Sequence, residues 1–189
     1  MKKFCDGPFI AADYLPRPIG CASVDVGVGK TDAAVGIISQ LLKQSIVCKH
    51  RDEQSELKAI YAVPTHKLGQ ELVQRFVARD VTAGVWRGRL ADNPEKPGEK
   101  MCLKPAEVEE VSERGLPIQR SMCRVKVDDI HYTCEHFQDC PYQMQADLLS
   151  QVDVVIVTHA SLFYEMPSIG RRQILVIDEA FWSAGLRGV

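Results

Sequence analysis

The chain has 189 residues, 46% of them apolar and 25% charged, with 23 Lys and Arg set against 25 Asp and Glu for a net charge of −2. That length allows one domain with a buried core, the composition argues against disorder, and the balanced charge does not mark a basic nucleic-acid binder. No run approaches the ~18 apolar residues of a membrane span, and Asp6-Gly7-Pro8 breaks any apolar signal core behind Lys2 and Lys3, so a cytoplasmic protein is expected.

Residues 1–19 carry Pro8, Pro16 and Pro18 and read as irregular. Gly20–Val26 is the first strand candidate. Ala34, Ile37, Ile38, Leu41 and Leu42 then recur at helical spacing across Thr31–Leu42, and the polar stretch Val47–Leu57 reads as a loop or surface helix. Ala59–Val63 is a second strand, stopped by Pro64. Leu68, Leu72, Val73, Phe76 and Val77 mark a second amphipathic helix, and Val81–Trp86 a short third strand.

From Gly88 to Tyr142 the periodicity fails. Pro94, Pro97, Gly98, Pro105, Gly115, Pro117 and Pro141 interrupt it, and only Ala106–Arg114 looks helical. So long an irregular insert is unusual unless something besides an apolar core orders it. Regularity returns at Val152–Val157, an apolar run suited to a strand buried on both faces. Ala160–Glu165 reads as a short helix, and Ile174–Ile177 as another buried strand running into Asp178 and Glu179. Strands alternating with helices predict a three-layer α/β fold with a parallel sheet.

Gly27, Gly29, Lys30 and Thr31 stand between a strand candidate and a helix, in the order a phosphate-binding loop needs. Glycines let backbone N–H groups approach phosphate, a lysine neutralises it, and a hydroxyl ligates Mg²⁺. Gly-Lys-Ser/Thr alone occurs by chance in roughly one chain in ten of this length, and Val24 occupies the place of the first glycine in G-x-x-x-x-G-K-[ST]. The second half of the signal is Ile174–Glu179, an apolar strand delivering adjacent carboxylates, as a metal-holding and water-polarising pair requires. The alternative for that segment is a strand followed by an acidic helix start. No guanine-reading N-K-x-D sequence is present, so ATP is the expected nucleotide.

With Asp178-Glu179-Ala180 the chain resembles the first motor domain of superfamily 2 helicases of the iron–sulfur XPD/DinG type. Val24–Thr31 is similar to their A-x-x-G-x-G-K-T loop except at Val24. Ala62-Val63-Pro64-Thr65-His66-Lys67-Leu68 resembles their motif Ia, and Cys134-x5-Cys140-Pro141-Tyr142 followed by Val152–Leu162 resembles the segment where the last cluster cysteines precede a strand ending near V-T-N-H-A. Val176–Gly188 is also similar to mobile-element proteins of primase/helicase type. The resemblance covers about residues 20–180. It departs at Val157-Thr158-His159-Ala160, which lacks the family's asparagine, and at Phe181, where helicases carry His or Asp.

The resemblance implies a RecA-like P-loop NTPase domain made of residues 1–87 and 143–189, incomplete at its C-terminus and interrupted by a Cys-rich insert at 88–142. Gly27, Val28, Gly29, Lys30, Thr31 and Asp32 would bind ATP, Thr31 and Asp178 would hold Mg²⁺, and Lys30, Asp178 and Glu179 would carry catalysis. Single-stranded DNA and a second motor domain or partner chain would be the partners, since the family works with two motor domains and this chain ends at Val189. It is therefore expected to be a fragment, or half of a larger machine.

Seven cysteines are present, four of them, Cys102, Cys123, Cys134 and Cys140, inside the insert. In a chain without an export signal, clustered cysteines point to metal before disulfide. Four thiolates suit a [4Fe–4S] cluster or a tetrahedral zinc. The wide spacing, with no C-x-x-C pair, and the family resemblance favour iron–sulfur over zinc. Unrelated thiols remain the plain alternative, and His131 and His136 are possible substitute ligands. Two further readings compete with the motor: a non-catalytic, metal-containing replication accessory with a vestigial phosphate loop, and a small P-loop kinase, which the insert fits poorly.

Overall fold

The computed structural model describes Gly20, residues 29–52, 57–164, Met166 and 169–179, with the side chains of 46–52 left aside. The chain divides into two compact units, Met1–Lys30 and Thr31–Val189. In the first, only Gly20, Gly29 and Lys30 are described. The strand expected over Gly20–Val26, apart from Gly20, and the loop residues Gly27 and Val28 lie outside the described residues, as do Cys5, Cys21, Ala180 and Phe181.

The second unit is mixed α/β, built among the described residues on a four-stranded parallel sheet. Its helices and strands are α1 (Lys30–Asp52, beginning one residue before the unit), β1 (Ala59–Val63), α2 (His66–Val77), β2 (Ala83–Val85), α3 (Pro105–Glu113), β3 (Arg124–Val127), β4 (Ile130–Thr133), α4 (Pro141–Gln151), β5 (Val154–Thr158) and β6 (Ile174–Ile177). The sheet order is β2-β5-β1-β6. β1 pairs in parallel with β5, Ala59 opposite Val154 and Val63 opposite Thr158, and with β6, Ala59 opposite Ile174 and Ala62 opposite Ile177.

Both faces of the sheet are covered. Ala59, Tyr61, Val63, Val154 and Ile156 pack against Val35, Ile38 and Leu42 of α1 and Leu72 and Phe76 of α2. Ala62, Val155 and Val157 pack on the other side with Leu149 of α4, Trp86, Met101 and Tyr142. Helical cover on both faces is compatible with a three-layer α/β arrangement. Two glycines set its closeness. A Cβ at Gly69 of α2 would lie 3.2 Å from Ile156 Cγ2, and one at Gly84 of β2 would lie 2.4 Å from Leu149 Cδ2.

Several expectations give way here. α1 runs on to Asp52, so of the two readings of the polar stretch, loop or surface helix, its first half takes the helix. α4 was not anticipated because Pro141 reads as a breaker; it occupies the first turn, where a missing N–H costs nothing. Its C-terminal end is closed by Arg172, a buried guanidinium donating to Leu149 O at 2.6 Å, Val152 O at 3.0 Å and Asp153 O at 3.1 Å. β5 is buried on both faces as expected, with Val154 to Val157 all at 0% exposure, but β6 is not: Leu175 is 56% exposed and Ile177 36%. Among the described residues β6 pairs only with β1. The expected helix after β5 is a short 3-10 turn, His159–Phe163.

The insert holds more structure than its sequence announces. Besides α3 it contains a π-helical turn, Gln119–Cys123, and an antiparallel hairpin, β3–β4. The hairpin closes through Asp128 and Asp129 at φ 46° and 65°, the left-handed pair of a two-residue turn. It is not a detached module: Met101, Cys140 and Tyr142 belong to the same apolar cluster as Trp86 and Val155. Among the described residues no helix is long and apolar enough to cross a membrane.

Candidate functional site

Parallel pairing brings the C-terminal ends of β1, β5 and β6 to one edge of the sheet, the edge where open α/β sheets place their ligands. Asp178 follows β6 there and keeps the ladder for one more step, its N–H donating to Ala62 O at 3.0 Å. The second residue of α1, Thr31, reaches the same point. Thr31 Oγ1 donates to Asp178 Oδ2 at 2.8 Å across 147 residues of sequence. Two motif residues expected to share one metal ion are thus in direct contact.

Two residues that the sequence did not single out complete this arrangement. Tyr61, fully buried in β1, donates its hydroxyl to the same Asp178 Oδ2 at 3.2 Å. Burial, together with the Asp178 charge, pushes the phenol well above its ordinary range, so Tyr61 stays a donor. A signal for it existed: a phenol inside an apolar strand needs a partner for its O–H. His159, buried just beyond β5, places Nε2 2.8 Å from Asp178 O. Glu179 comes next, exposed and at φ 65°, a left-handed conformation that costs a non-glycine residue about 1 kcal/mol.

The remaining candidates divide. Asp32 is engaged away from Asp178: its Oδ1 accepts from Arg79 Nη2 at 2.9 Å. Gly29, at φ 74°, adopts a backbone that suits glycine, and Lys30 opens α1; both belong to the first unit. Gly27 and Val28 lie outside the described residues.

The four insert cysteines come together. Cys102, Cys123, Cys134 and Cys140 line one small cavity of about 20 Å³, beside Phe137 and His136. All four are free thiols. The fold explains the convergence: Cys123 and Cys134 flank the β3–β4 hairpin, with Cys134 N–H donating to Cys123 O at 3.0 Å, while Cys140 immediately precedes α4. A hydrogen bond from Cys102 pulls the Cys140 thiol below its ordinary range, and the same bond, with burial, pushes Cys102 up. Arg89 stands beside them, 4.0 Å over the Tyr142 ring, donating to Gln119 Oε1 at 2.6 Å and lying 3.9 Å from Cys123 Sγ.

Four thiols around one pocket are the right donor set for a tetrathiolate metal centre. Among the described residues, however, no group of three or more His, Cys, Asp or Glu side chains is already closed to metal-holding geometry. His131 is on the exposed hairpin and does not line the pocket, whereas His136 does.

Comparison with protein-family models, with curated proteins and with solved structures gives no match to this chain.

Proposed function

We propose that the edge around Thr31 and Asp178 binds Mg²⁺·ATP and hydrolyses it, as the nucleotide site of a helicase-like motor domain acting on DNA within a larger assembly. The observation that carries this reading is the 2.8 Å hydrogen bond between Thr31 and Asp178. A hydroxyl after Gly-Lys and a carboxylate at a neighbouring strand end would be the two protein groups nearest a nucleotide-bound magnesium ion. In this scheme Thr31 ligates Mg²⁺ and Asp178 holds it through water. By the order of the sequence motif, Lys30 would neutralise the β- and γ-phosphates, and Gly27 and Gly29 would let backbone N–H groups approach them. Glu179 polarises the attacking water. The start of a 23-residue helix at Lys30 adds a favourable dipole for phosphate.

The P-loop identity of the fold, and its kinship with iron–sulfur helicases, rest on the order of motifs along the sequence. In that reading the thiol pocket holds a [4Fe–4S] cluster, or zinc in its place, through Cys102, Cys123, Cys134 and Cys140. Such a centre would cross-link α4, the hairpin and the segment before α3, supplying order where the apolar core is thin.

The pocket and the exposed hairpin support a second reading, a metal-containing nucleic-acid-binding accessory whose phosphate loop is vestigial. Nucleotide binding separates the two. Titration calorimetry with Mg²⁺·ATP should show binding to the wild-type chain, none to Lys30→Ala, and retained binding without hydrolysis in Glu179→Gln. Unchanged ATP affinity in Lys30→Ala would overturn the assignment.

A further inference from the structure

The hydrogen bonding at the end of β6 has an irregularity that His159 resolves. Asp178 N–H donates to Ala62 O, continuing the parallel ladder set by Ala62 opposite Ile177. The next rung of that ladder would carry the N–H of residue 64 to the Asp178 carbonyl. Residue 64 is Pro64, which has no N–H. The Asp178 carbonyl is met instead by His159 Nε2 at 2.8 Å. Because a carbonyl only accepts, Nε2 must carry the hydrogen.

His159 lies beyond β5, and β1 separates β5 from β6, so the imidazole spans the end of one strand to hold the next. It is 4% exposed, and the carbonyl it holds belongs to the peptide joining Asp178 to Glu179. At that peptide the chain leaves the sheet, and Glu179 enters the left-handed region at φ 65°. Rotation of this peptide would swing Glu179 while leaving the Thr31–Asp178 side-chain contact in place.

We propose that His159 is a positioning residue that replaces the ladder donor missing at Pro64 and thereby fixes the direction in which Glu179 leaves the sheet. The proposal deepens, and rests on, the reading of this edge as a nucleotide hydrolase with Glu179 as base. Misplacing a catalytic group by ~1 Å costs on the order of a hundredfold in rate, whereas nucleotide affinity depends on other groups.

The test combines kinetics with a spectroscopic readout on the full chain. Mg²⁺·ATP turnover, Mg²⁺·ATP dissociation constants and thermal midpoints are measured for wild type, His159→Ala, His159→Gln, Pro64→Ala and the Pro64→Ala/His159→Ala double variant. His159→Ala should lower kcat about tenfold or more, with the dissociation constant within about twofold. His159→Gln, which keeps an N–H donor, should retain most of kcat. Pro64→Ala in the His159→Ala background should recover part of it, because an amide N–H returns to the vacant rung. Wild-type kcat in His159→Ala, or equal losses in the Ala and Gln variants at matched thermal midpoints, would overturn the proposal. Nitrogen-15 NMR of the wild-type His159 ring should show a protonated Nε2 whether or not ATP is hydrolysed; an unprotonated Nε2 would also overturn it. A wild-type chain that fails to hydrolyse ATP yet shows protonated Nε2 would instead remove the hydrolase reading, and with it the role given to Glu179, leaving the ladder replacement standing.

Discussion

In β5 four consecutive side chains, Val154 to Val157, are wholly withdrawn from water, whereas in the β3–β4 hairpin Val127, Ile130 and Tyr132 each keep half or more of their surface exposed. Both are regular β structure in one compact unit, but they are held differently. The sheet is ordered by apolar burial on two faces, each fully buried side chain contributing ~1.5–3 kcal/mol. The hairpin has few buried side chains, and its base is tied at Cys123 and Cys134, on the thiol pocket. A strand can therefore be secured by the surface it buries or by the chemistry at its ends, and only the first kind leaves a periodic apolar signature in sequence.

This contrast can be broken most forcefully in the sheet. Ile156→Ala removes a fully buried side chain that α2 approaches closely at Gly69, and it should cost about 2–5 kcal/mol in urea unfolding. A loss below ~1 kcal/mol would mean the two-faced burial is not what holds this half. Cys140→Ser probes the other half. It should accelerate amide hydrogen exchange over Gln119–Thr133 by about tenfold or more, while β5 amides change little, and it should lower any iron or zinc that copurifies. Equal acceleration in β5 would show that the insert and the sheet are secured together. Smallest of all, Tyr132→Ser on the exposed hairpin should shift global stability by no more than ~0.5 kcal/mol. A larger loss would place the hairpin in the core after all.

Legibility from sequence follows the same division. β6 was readable to the residue, Ile174–Ile177, because four branched apolar residues end at a carboxylate; the exposure of Leu175 and Ile177 was not, since a strand's own sequence does not say what covers it. α4 was hidden by Pro141, a residue equally at home in a break and in a helix's first turn. The hairpin was hidden because its turn is Asp128-Asp129 rather than a glycine-bearing pair. At the candidate site, Thr31 and Asp178 were both legible from motif chemistry, and the fold adds their contact. For Tyr61 the sequence signals only a phenol in need of a partner, and for His159 nothing, because each acts across the sheet on a residue distant in sequence and strand order is what makes them neighbours.

The most direct test of the proposed Mg²⁺·ATP site is a double-mutant cycle on Mg²⁺·ATP affinity, read by titration calorimetry with Thr31→Ala, Asp178→Asn and the double variant. If both groups serve one metal ion, each single change should weaken binding about tenfold or more, and the double variant should fall short of the product of the two losses by a coupling of ~1 kcal/mol or more. Wild-type affinity in both single variants, or losses that multiply without coupling, would contradict the account.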